Sequence, residues 1–78
     1  MATEDENRIT CHLDVLLVQR QMTLTELSQR VGVTIANLSI LKNNRARAIR
    51  FTTLTAICEA LECTVGDLLT ASPRTKDV

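Results

Sequence analysis

The chain has 78 residues, room for one small domain and too few for two separate cores. Its 45% hydrophobic and 23% charged composition excludes general disorder, and apolar runs as short as residues 15–18 (VLLV) exclude a membrane-spanning helix. Nine basic residues offset nine acidic ones, so the formal charge of zero names no partner until the charges are placed along the chain.

Two Gly and one Pro are too few for the reversals of an all-β sandwich, which leaves an all-α fold. Residues 1–8 (MATEDENR) are polar and acidic where a secretory signal would be basic and then apolar, so they read as a disordered N-terminal arm of a cytoplasmic protein. Apolar residues then recur at helical spacing in five groups, each opened by a threonine able to accept an unpaired first-turn N–H. The first group is Leu13, Leu16 and Leu17 behind Thr10. The second, about 24–31, starts at Thr23, where Glu26 completes a capping box and Met22 can staple onto Leu27. Gly32 stops it, since a residue without Cβ takes the left-handed conformation that satisfies the last carbonyls. The third, about 35–43, restarts at Thr34 with Leu38 and Leu41 inward. After an irregular stretch of about 43–51 comes the fourth, behind Thr52, with Leu54, Ile57, Cys58 and Leu61. The fifth pairs Thr64 with Asp67 in a second capping box and carries Val65, Leu68 and Leu69. Residues 9–70 form the domain, and 71–78, with a Pro and charges, form a flexible tail.

The second and third helices meet at a steep angle across about three residues, with Leu27, Val31, Val33, Leu38 and Leu41 inward and small Ser28 at the crossing. An ordinary αα-corner needs the same features, so the geometry alone does not decide the function. Charge placement adds to it: residues 27–58 hold Arg30, Lys42, Arg45, Arg47 and Arg50 and no acid, a block of +5 against −5 for the remainder. Such a block is either a solvated basic loop or a grip on phosphates at a groove edge.

Cys11, Cys58 and Cys63 are odd in number and match no paired Cys-x-x-Cys set, which excludes a disulfide framework. With His12 they could supply four metal ligands, but free Cys is usually a small buried hydrophobe, and no metal or other cofactor is expected. His12 has no relay partner and reads as a surface residue near the start of the first helix, and no phosphate-binding glycine loop is present, so no enzyme is expected.

The stretch LTELSQRVGVTIANLSILKNNRARAIRFTTLTAICEALECTVGDLL resembles the Cro and phage-repressor (XRE) helix-turn-helix family over about residues 9–70. The resemblance rests on Glu26-Leu27-Ser28 leading to Val31-Gly32-Val33-Thr34, on Leu38 and Leu41 ending in Asn43, on Arg50-Phe51, and on Gly66-Asp67-Leu68-Leu69. It implies a compact five-helix lambda-repressor-like domain that binds double-stranded operator DNA as a homodimer, third helix in the major groove. By position, base-facing residues fall on Ile35, Ala36, Ser39 and Ile40 with Asn37 alongside. Phosphate contacts fall on Thr23, Leu24, Asn43, Arg45, Arg47 and Arg50; Lys42 of the basic stretch and Thr34 complete the DNA-binding set. Ile35 and Ala36 either touch thymine methyls or are partly buried against a neighbouring helix or partner. Asn44 stands where the family has Gly, and Asn tolerates the left-handed turn. The rival is a protein-interaction module of the same fold, an antitoxin or adaptor, favoured by a third helix poor in Gln, Asn and Arg. Neither a membrane nor a small-molecule effector is indicated.

Overall fold

The computed structural model describes residues 8–72. In chain order these form β1 (Ile9–Cys11), α1 (Leu13–Gln19), α2 (Leu24–Val31), α3 (Ile35–Lys42), α4 (Phe51–Leu61), α5 (Val65–Leu68) and β2 (Leu69–Ala71). No helix among them is long and apolar enough to cross a membrane.

The apolar spacing explains the packing. Leu13, Leu16 and Leu17 of α1, Leu27 of α2, Leu38 and Leu41 of α3, Leu54, Ile57 and Leu61 of α4, and Leu68 of α5 are all buried and form one cluster with Cys11. Each such side chain contributes roughly 1.5–3 kcal/mol by leaving water. Val65 departs from the expected core face: it is exposed, because α5 is a single turn and only Leu68 reaches inward from it.

Three expectations are corrected. The fold is not purely all-α: β1 pairs antiparallel with β2, Ile9 opposite Ala71, Thr10 opposite Thr70 and Cys11 opposite Leu69. Thr10 is therefore a strand residue and not a cap; α1 opens at His12, which lacks a side-chain cap bond. Its backbone N–H donates to Leu68 O at 2.8 Å, and its Nε2 lies 2.8 Å from Thr70 Oγ1, so His12 is half-buried and ties the sheet to the helices. Thr52 is not a cap either. Extended Arg50 (φ −74, ψ 144) lets α4 begin at Phe51, one residue ahead of that hydroxyl. Most of the expected arm and tail lies outside the described residues; Arg8 and Ser72 continue the strand pairing, the Ser72 N–H donating to Arg8 O at 2.9 Å.

Helix ends explain how the chain manages with two glycines. Left-handed residues follow α1, α2, α3 and α4, and three of the four are Gln21, Asn44 and Glu62. In those three the next N–H bonds back five residues: Met22 to Leu17 O, Arg45 to Ile40 O, Cys63 to Cys58 O. Arg20 completes the end of α4, its Nε donating to Leu61 O at 2.6 Å and an Nη to Glu62 O at 3.1 Å.

Candidate functional site

The site is built on α2, its turn and α3. Thr23 caps α2, its Oγ1 accepting the Glu26 N–H at 3.0 Å. The reciprocal half of the expected capping box is absent, because the Glu26 carboxylate pairs with Arg30 at 2.9 Å one turn on. At the far end Gly32 is left-handed (φ 72, ψ 26), and its N–H donates to Ser28 O. The Ser28 hydroxyl donates to Val33 O at 2.6 Å and so pins the turn to the helix before it. Thr34 then caps α3 by accepting the Asn37 N–H at 3.1 Å. Two hydroxyl caps, one left-handed glycine and one serine bond thus hold α3 at a set angle, with Leu38 and Leu41 seated in the core.

The outer face of α3 follows from 3.6 residues per turn. Ala36, Ser39, Ile40 and Asn43 lie opposite the buried leucines, and Ile35 and Asn37 flank them. Ile35 and Ile40 are 46% and 45% exposed, so neither is buried against a neighbouring helix within this chain. Ala36, Asn37 and Asn43 are exposed as well, and Ser39 is half-buried. The Asn43 amide donates to Ser39 Oγ at 3.3 Å, so two of the polar groups on this face hold one another.

Beyond α3 the chain runs as an irregular loop over the core. Asn44 (φ 62) anchors it: its Oδ1 accepts the Cys11 N–H at 2.6 Å, joining the loop to β1. Ala46 and Ile49 pack on the core while Arg45, Arg47 and Arg50 are exposed. This loop and α3 border an open concavity of about 610 Å³ that gathers Thr34, Asn37, Ile40, Arg45, Arg47 and Arg50. Lys42, half-buried in the last turn of α3, stands outside its lining, as do Thr23, Ile35, Ala36, Ser39 and Asn43.

Phe51, the chain's one aromatic residue, is 85% exposed directly after Arg50, a placement that helical periodicity could not have signalled. Carboxylates gather elsewhere: Glu59, Glu62 and Asp67 border a separate concavity around the end of α4 and the start of α5.

The thiols have structural surroundings. Cys11 is buried, and burial raises its pKa; Cys58 and Cys63 are half-buried at the end of α4. Burial, together with the neighbouring Cys58, pushes the Cys63 thiol up to about 11, which keeps it protonated and unreactive near neutrality. Among the described residues no three His, Cys, Asp or Glu side chains come together as a metal set.

Residues 12–74 match the family of Cro/C1-type HTH DNA-binding domains. The chain is 62% identical over 61 residues to the uncharacterized HTH-type transcriptional regulator YozG of Bacillus subtilis (strain 168), covering 78% of this chain and 73% of that one. Among solved structures it is similar to the transcriptional regulator VanUg, with a TM-score of 0.70 and 37% identity, over 86% of this chain and 88% of the other.

Proposed function

The chain belongs to the Cro/C1-type helix-turn-helix DNA-binding domain family of transcriptional regulators, and from this premise we propose how it engages its operator. It places α3 in the major groove of double-stranded DNA, with Ile35, Ala36, Asn37, Ser39 and Ile40 toward the bases. Lys42, Arg45, Arg47 and Arg50 neutralise phosphates beside the groove, with Thr23, Thr34 and Asn43 at the backbone. The observation that carries this reading is the joint exposure of the outer face of α3 and the three loop arginines, within a stretch from 27 to 58 that holds no acidic side chain.

One short helix does not supply the roughly 10⁻⁸ M affinity of a specific regulator, so the protein acts as a homodimer on inverted half-sites about 34 Å apart. The pairing surface in this reading lies in the residues after Asn43 or on α5, where Val65 is exposed. No cofactor, small-molecule effector or catalytic step enters the mechanism.

Duplex binding measured against salt tests it. Four phosphate contacts in each of two subunits give a slope of log K against log salt on the order of −7. A flat dependence, or no binding at low salt, favours the second reading, a protein-interaction module, which the aliphatic outer face of α3 supports.

A further inference from the structure

The outer face of α3 lacks the groups that read most base pairs. Guanine is read by two donors from Arg or Lys, adenine by the amide of Asn or Gln, and cytosine by a carboxylate. Between Ile35 and Ile40 the only such group is the Asn37 amide; Ser39 is engaged with Asn43. What the face offers instead is aliphatic: Ile35, Ala36 and Ile40 are all exposed, with Ala36 and Ile40 one turn apart and so stacked along the helix.

Nothing inside the molecule requires this. An aliphatic side chain gains nothing against the N7, O6 or N4 edges of the groove, whose polar atoms would lose water without receiving a partner. The 5-methyl of thymine is the apolar group that the floor of the major groove presents. We propose that this chain reads its operator through thymine methyls, with Ile35, Ala36 and Ile40 packing on them and Asn37 supplying a polar contact at the edge of the same face. The inference rests on the placement of α3 in the major groove proposed above. It adds what α3 recognises there, and it makes G·C pairs under these three side chains unfavourable.

The test uses the full chain and two versions of one duplex. Sequences are selected from random duplexes at moderate salt, and the preferred one is remade with deoxyuridine for thymidine, which removes the methyl and leaves base pairing intact. Each buried methyl is worth about fourfold in affinity, so loss of three per half-site weakens binding by about 50-fold at each half-site and on the order of 10³-fold for the dimer on both. Ile35→Ser with Ile40→Ser, both at exposed positions, keeps its helicity by circular dichroism and retains the Ala36 contact alone, so its preference for the thymine over the uracil duplex falls to about fourfold per half-site. Equal binding of both duplexes by the unaltered protein, with the steep salt dependence present, overturns methyl readout and leaves the DNA-binding reading standing. Absence of salt-dependent binding to any duplex overturns both.

Discussion

α2 and α3 are built alike and finished differently. Each has eight residues, each is capped by a threonine hydroxyl accepting the N–H three positions on, and each sends leucine into the same core. The outer face of α2 carries Thr25, Glu26, Gln29 and Arg30, with Glu26 and Arg30 joined one turn apart, as the solvated side of a small domain should. The outer face of α3 carries Ile35, Ala36 and Ile40 beside Asn37, Ser39 and Asn43, and no charged side chain. Because α2 shows that the fold is satisfied by a polar exterior, folding does not call for the aliphatic exterior of α3, which is the face proposed for recognition.

The largest effect should separate the two sides of α3 itself. Leu38→Ala, at a side chain with no exposure, should cost about 2–5 kcal/mol in urea unfolding. Ile40→Ala on the opposite face should stay within about 0.5 kcal/mol. Comparable losses at both positions would mean that the outer face is packed after all.

Next comes the turn joining the helices. A Cβ at Gly32 would meet nothing within 4 Å, so Gly32→Ala probes the left-handed backbone alone and should cost about 1–2 kcal/mol. A neutral result would show that the turn can relax. The two caps should then prove equal: Thr23→Ala and Thr34→Ala should each lower stability by about 1 kcal/mol, measured by thermal unfolding. A much larger loss at Thr34 would mean that α3 depends on its cap as α2 does not.

The smallest effect sharpens the contrast between half a capping box and a whole one. At Thr23 the box is half made, whereas at Thr64 it is complete: the Asp67 Oδ2 accepts the Thr64 N–H at 3.0 Å and Thr64 Oγ1 accepts the Asp67 N–H at 3.2 Å. The Thr64 backbone bond, followed by its side-chain bond, holds the Asp67 carboxyl below its ordinary value. A carboxyl lowered in the folded state stabilises above its unfolded pKa, and that contribution disappears as pH falls through the folded pKa. Asp67→Asn should therefore melt slightly below the parent at pH 7, with the gap closing toward pH 2; a gap independent of pH would assign the loss to packing.

Local signals explain what the sequence made legible. Thr23, Thr34 and Thr64 cap as expected because a hydroxyl and the N–H it serves lie within four residues, and Gly32 stops α2 for an equally local reason. The pairing of residues 9–11 with 69–71 was hidden: three residues per strand show no alternation, and their partners are remote in the chain. Arg20 on the end of α4 and Asn44 on the Cys11 N–H are likewise single bonds between distant positions, without any periodic trace. Thr10 and Thr52 show the limit of reading caps from residue type, since strand pairing claimed one and an extended Arg50 bypassed the other. For the candidate site, the helix pair and the basic loop were legible; the exposure of Phe51 and the mutual bond of Ser39 and Asn43 arise from how the folded chain packs.

The two-stranded sheet also bears on the order in which the molecule assembles. His12 and Thr70 stand 58 positions apart, whereas the bonds that cap α2, α3 and α5 span three. Closing so long a loop costs chain entropy that neighbouring helices do not pay, so the strands are expected to pair after the helices have collapsed. The sheet would then be a latch closed late over a body already formed, and amide exchange should be faster at residues 9–11 and 69–71 than in α2 and α3.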